Sequence, residues 1–99
     1  MQRILRQNIK IEGRYKQVDF HKIIFSIISD VSGVPLEQLS ESISLEELEI
    51  NSIVFIQLVI RCENEFDIEF EDNQLLLTNF PTINELVEYI RMKYQESNP

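Results

Sequence analysis

Residues 49–60 read EINSIVFIQLVI, and they place one hydroxyl, Ser52, at the head of an almost wholly apolar segment. A serine can do chemistry as a nucleophile beside a base, or it can serve as a point of attachment. The first role finds little support. The chain holds one histidine, His21, and one cysteine, Cys62, too few for a zinc cluster. Cys62 follows the apolar spacing of its segment and reads as a small buried hydrophobe. His21 reads as a solvated histidine at a helix edge. The acid runs at Glu46, Glu47 and Glu49 and at Glu69, Glu71 and Asp72 lack calcium-loop spacing and read as solvated faces. With two glycines in the chain, there is no glycine-rich phosphate cradle. As a helix start, Ser52 could cap a first-turn amide, and Asn51 could do so equally well. The next turn, Ile53, Val54, Phe55 and Ile56, contains no acid. The positive end of the helix dipole therefore has no anionic side chain of its own, and a phosphate carried on Ser52 would sit there favourably.

The elements that must hold this serine are helical. Strand signals are weak, hairpin dipeptides are absent and no repeat is visible. A helix is expected from Phe20 to Val31, capped by Asp19, with Phe20, Ile24, Ile27, Ile28 and Val31 on one face. Gly33 and Pro35 stop it. The connection from Val34 to Asn51 is too long to be structureless in so small a domain. Its apolar residues Leu36, Leu39, Ile43, Leu45, Leu48 and Ile50 should anchor it to the core, with a helical turn begun by the capping-box pair Ser44 and Glu47. A second helix runs from Ser52 to about Phe66, and Glu71 to Leu76 is expected to form a short third one. Thr82 and Glu85 make another capping box behind Pro81, opening a last helix with Ile83, Leu86, Val87, Ile90 and Tyr94 inward.

The second helix has two apolar sides. At about 100° per residue, Phe55, Leu58, Val59, Cys62 and Phe66 form an ordinary core stripe. Ile53, Ile56 and Ile60 gather opposite, beside Gln57, Arg61 and Asn64. Such isoleucines, bordered by polar residues, predict a docking surface unless the N-terminal segment or the long loop covers them.

The chain has 99 residues, 43% of them hydrophobic, which suits one domain with one core. No apolar run approaches the roughly 20 residues of a membrane span, and no secretory signal is visible. A cytoplasmic monomer is the expectation, and the single cysteine agrees with a reducing compartment. The net charge of −8 is unevenly spread. Residues 1–22 carry six bases and two acids, whereas residues 23–99 carry three bases and fifteen acids. The body should repel nucleic acid and anionic membranes and favour partners with basic surfaces. The expected organisation is a basic leader over residues 1–17, one domain over residues 18–95 and a tail over residues 96–99.

Together these residues carry a family likeness. Asn51-Ser52-Ile53, Leu58 and the run from Glu63 to Phe70 resemble the second helix and following loop of acyl and peptidyl carrier proteins. Leu48 resembles the apolar residue ahead of the family's serine loop, and Phe80 to Ile90 resembles its last helix. The likeness covers about residues 19–94. It implies an all-α four-helix bundle of three main helices and a short third one, with a long first loop. It also implies that Ser52 accepts 4′-phosphopantetheine from coenzyme A through a separate, magnesium-dependent phosphopantetheinyl transferase. The arm would hold an acyl or aminoacyl (peptidyl) group as a thioester for loading, condensing and transferring enzymes. Those partners would dock on the second helix through Ile53, Val54, Ile56, Gln57, Ile60, Arg61, Glu63 and Asn64, with Asn51 flanking the attachment point. The carrier itself would perform no catalysis.

Three departures from the family pattern stand out. Asn51 replaces the usual aspartate. Glu49 stands where a glycine is common, and a positive φ there would be costly for glutamate, so the loop is expected to differ locally. Val54 and Gln57 occupy positions that are acidic in fatty-acid carriers, while Glu63 is retained. Docking through apolar contact, closer to peptidyl or polyketide carriers, is the expectation. The rival is an unmodified helical adaptor that keeps the fold and the docking face without the arm.

Overall fold

The computed structural model describes residues 18–98, and the expected basic leader lies outside the described residues. Three α-helices dominate: α1 (Phe20–Ser32), α2 (Ser52–Phe66) and α3 (Ile83–Ser97). No strand occurs among the described residues. The all-helical bundle with a long first loop is as expected from the sequence.

Each helix starts and stops for a local reason. The Asp19 carboxylate accepts from Lys22 N at 3.0 Å, and Gly33 ends α1 in the left-handed region at φ 80°. A glycine enters that region without steric cost. Thr82 Oγ1 accepts from Glu85 N at the start of α3. α2 ends at Asp67, also left-handed at φ 56°.

The core is one cluster in which α1 contributes Phe20, Ile24, Ile27 and Ile28, α2 contributes Phe55, Leu58, Val59, Cys62 and Phe66, and α3 contributes Ile83, Leu86, Val87 and Ile90. Val31 and Tyr94, expected inside, are only half-buried at the ends of their helices. Two aromatic groups brace the bundle. Phe20 stacks on Phe66 at 5.4 Å with Tyr94 edge-on to both, and the Arg91 guanidinium lies over the Phe20 ring. Phe70, Phe80 and Tyr89 meet at 4.9–6.1 Å, and Phe80 reaches Phe55 in the first turn of α2.

The first loop wraps the core through Leu39, Leu45, Leu48 and Ile50, all buried. Leu36, expected as a further anchor, is instead exposed: it opens the 3-10 turn Leu36–Gln38, which leaves only Leu39 turned inward. The loop is tied to α3 by main-chain bonds, Ile83 N to Ile43 O and Asn84 N to Glu41 O, which satisfy two amides at that helix start. His21 sits in the first turn of α1 with Nε2 2.8 Å from a Glu41 carboxylate oxygen, misaligned for a hydrogen bond. The Ser44–Glu47 capping box forms reciprocally at 2.9 Å in each direction, but it opens a series of tight turns rather than a helix.

The short third helix expected over residues 71–76 appears as two 3-10 turns, Asp72–Gln74 and Leu77–Asn79. Leu75 and Leu77 pack partly against the core while Leu76 faces outward. Inward residues two apart do not share a helical face, and so short a segment gains too few bonds to offset helix nucleation. Burial alternates over residues 67–70 ahead of it, with Ile68 and Phe70 buried and Asp67 and Glu69 exposed.

Candidate functional site

The start of α2 separates the two roles open to Ser52. Asn51 is the cap: its Oδ1 accepts from Val54 N at 2.9 Å, and its carbonyl accepts from Phe55 N at 2.8 Å. Ser52 is therefore the first helical residue, exposed, and its Oγ makes no hydrogen bond among the described residues. The hydroxyl is released from capping by its neighbour and left facing solvent.

The platform beneath it is firmly held. Leu45 O accepts from both Leu48 N and Ile50 N, and Leu45, Leu48 and Ile50 are buried on one side of the loop. Phe55 fixes the first turn from the other side, with 1% of its surface exposed. Glu49 adopts φ 61°, and its amide donates to Glu46 O at 2.9 Å. The expectation that glutamate would force a different loop is thus corrected: the left-handed turn is present with a side chain in it. A non-glycine residue in this region stores on the order of 1–3 kcal/mol of strain. The buried leucines and Ile50 on either side hold the turn in place.

The first turn of α2 contains no acidic side chain. Its leading amides have no partner within the helix, and they carry the positive end of the dipole. An exposed, unengaged hydroxyl at this position fits a phosphate ester, whose negative charge those amides and that dipole favour.

The residues expected to receive partners divide into three groups. Ile53, Ile56 and Ile60 are 72%, 39% and 50% exposed, and Gln57 and Asn64 lie exposed beside them, as the helical spacing required. Arg61 is exposed but turned to α1, with Nη2 3.0 Å from Asp30 Oδ2. Val54 and Glu63 face partly inward. Val54 packs against the core, and Glu63 Oε2 accepts from Phe70 N at 2.9 Å, which secures the segment after α2. Reasoning from the sequence missed that bracing role. The alternation of Phe66, Ile68 and Phe70 with acids, which marks a segment with one buried side, was the available signal. Cys62 is fully enclosed; burial pushes its thiol up to about 12, with smaller raising effects from Glu63 and Glu65 and a small opposing one from Arg61. Among the described residues no cluster of potential metal ligands occurs and no helix is long and apolar enough to cross a membrane.

Comparison with known proteins gives this geometry a family. Residues 22–90 match the family model described as phosphopantetheine attachment site. An acyl carrier protein of Thermobifida fusca is 23% identical over 78 residues, covering 78% of this chain and 96% of that protein. A meromycolate extension acyl carrier protein of Mycobacterium tuberculosis is 29% identical over 77 residues, covering 77% of this chain and 64% of its own length. A non-reducing polyketide synthase of Aspergillus terreus is 33% identical over 61 residues, 62% of this chain but 3% of the synthase. The chain belongs to the phosphopantetheine attachment-site family, an acyl-carrier-type helical domain whose cofactor is covalently attached 4′-phosphopantetheine.

Proposed function

We propose that Ser52 is the attachment residue and that this chain is a carrier of acyl or aminoacyl (peptidyl) groups. The single observation that carries the assignment is the division of labour at the start of α2, where Asn51 caps the helix and the Ser52 hydroxyl stays exposed and unengaged. When bound, the cofactor supplies a thiol on a flexible arm, to which cargo is joined as a thioester. The chain's own residues position that arm. Asn51 fixes the helix start, Leu45, Leu48, Ile50 and Phe55 hold the loop and first turn against the core, and the acid-free first turn accommodates the phosphate. Tethering raises the local concentration of cargo at each partner without new contacts.

In this reading a phosphopantetheinyl transferase modifies Ser52, and loading, condensing and transferring enzymes then dock on α2. Ile53, Ile56 and Ile60 supply apolar contact area, with Gln57 and Asn64 at the rim. The carrier performs no catalysis and works as a cytoplasmic monomer. The left-handed turn at Glu49 favours this reading over an unmodified adaptor, because the loop retains its shape without the glycine. The test is intact-mass measurement after incubation with coenzyme A and a broad-specificity transferase. One phosphopantetheinyl group should be gained by the native chain and none by Ser52→Ala. An equal gain in both would move the site elsewhere, and no gain with several transferases would favour the adaptor.

A further inference from the structure

Ser44 and Glu47 form a capping box that opens no helix. Ser44 N donates to Glu47 Oε1, and Glu47 N donates to Ser44 Oγ, each at 2.9 Å. Elsewhere such a reciprocal pair starts a helix. In this loop only consecutive turns follow, over residues 45–49, and those turns deliver the chain to Ser52. The box lies between two fixed stretches. Ahead of it, Ile43 O accepts from Ile83 N at 3.0 Å at the start of α3. Behind it, Leu45 O accepts from Leu48 N at 3.2 Å and from Ile50 N at 3.1 Å, and Glu46 O accepts from Glu49 N at 2.9 Å. These bonds lead the chain through Glu49 to the buried Ile50, then to the cap Asn51 and to Ser52.

The turn needs holding on both sides. Glu49 sits at φ 61°, and a residue with a side chain stays in that region only where its surroundings fix it. Leu45, Leu48 and Ile50 fix the inner side by burial. The outer side carries Glu46, Glu47 and Glu49, all exposed, and their like charges push the turn open. The box ties that side shut. The strain at a left-handed residue and the contribution of a side-chain cap are of the same order, so loss of the box is enough to let the turn relax.

We propose that Ser44 and Glu47 are positioning residues for the attachment of phosphopantetheine, acting through the Glu49 turn to set the angle at which Asn51 and Ser52 enter α2. The proposal rests on Ser52 as the attachment residue. In the transfer, the Ser52 hydroxyl oxygen forms a bond to the pantetheine-bearing phosphorus of coenzyme A. The pyrophosphate P–O bond breaks, and adenosine bisphosphate leaves with the serine proton. Ser44 and Glu47 touch none of these atoms. Without the box the chain samples several entries into α2, and only a fraction of molecules presents the hydroxyl in the orientation the transferase needs. That fraction lowers kcat/KM directly.

The test is the initial rate of modification of the full chain by a broad-specificity transferase with saturating coenzyme A, followed by intact mass. It is run where circular dichroism shows every variant folded. Ser44→Ala and Glu47→Ala should each lower kcat/KM by about tenfold. Ser44→Thr and Glu47→Gln can rebuild the box and should return it to within about twofold of the native value. Asp19→Ala removes the cap of α1. Phe20 stacks on Phe66, so that cap lies at the other end of α2 from Ser52, about 20 Å away. This variant should lose comparable stability and keep the native kcat/KM. A Glu47→Gln chain as slow as Glu47→Ala would overturn the proposal, because the transferase would then be reading the charge. So would an equal loss in Asp19→Ala, or native rates in both alanine variants. Amide exchange at Ile50 and Val54, whose protons go to Leu45 O and Asn51 Oδ1, needs no transferase. Both should exchange about tenfold faster in Glu47→Ala and at the native rate in Glu47→Gln. Equal exchange in all three chains would overturn the proposal, whereas a native chain that takes no arm would count against the reading of Ser52.

Discussion

Asn51 and Ser52 are adjacent and both suit a helix start, yet they do different work. Asn51 holds Val54 N, whereas Ser52 holds nothing among the described residues. Asn51→Ala should therefore lower stability by about 1 kcal/mol, and Ser52→Ala should change it by less than about 0.5 kcal/mol, as read from denaturant midpoints. The reverse order would make Ser52 the cap and weaken its assignment as a free attachment point. Glu49 offers a second test at this scale. Its φ of 61° suits glycine, so Glu49→Gly should be neutral or stabilising by up to about 1 kcal/mol, the released strain being partly offset by the flexibility glycine gives the unfolded chain. Glu49→Val should destabilise by about 1–2 kcal/mol, because a β-branched side chain tolerates that region worst. Asparagine at residue 51 was readable as a cap, but nothing in the sequence alone told which of the two neighbours would act. That choice depends on the backbone angle with which the loop enters the helix, and the loop's buried leucines and Ile50 set that angle.

At the scale of elements, α2 is a helix with one face for the bundle and another for something else. Ile56→Glu and Ile60→Glu should leave helical content intact and shift stability by no more than about 0.5 kcal/mol, because both side chains already meet solvent. The same substitutions should weaken capture by a cognate condensing or loading enzyme. Unfolding by either variant would place the isoleucines inside the core. The three main helices were legible because each carries its own periodic stripe and cap: Asp19, Asn51 and Thr82 all stand where their types predict. The segment after α2 was legible only in part. A short helix was expected from Glu71 to Leu76, but Leu75 and Leu77 turn inward at a spacing of two, and packing decided against it. The ties from Glu41 and Ile43 to the start of α3 run through the main chain, so no side-chain pattern announces them.

For the molecule as a whole, stability rests on one apolar cluster to which all three helices contribute, and Cys62 lies in it. Its thiol is pushed from an ordinary value of 9.0 up to about 12 by burial, so the folded protein favours the protonated form. That contribution is complete below about pH 9 and is lost as pH rises towards about 12, because the unfolded chain releases the proton first. Urea midpoints should therefore fall across this window more steeply in the native chain than in Cys62→Ala; equal slopes would mean that the thiol is open to water. The acidic excess over residues 23–99 was legible from composition. Where each charge would point was not, since Glu63 is held by a main-chain amide in the turn beyond α2 and Arg61 by a side chain on α1. The central claim, that Ser52 bears the arm, is tested most directly by fragmenting the peptides of the transferase-treated protein in a mass spectrometer. The account predicts the phosphopantetheinyl group on Ser52 alone. Finding it on another serine, such as Ser40, Ser42 or Ser44 of the first loop, or on no residue at all, would contradict it.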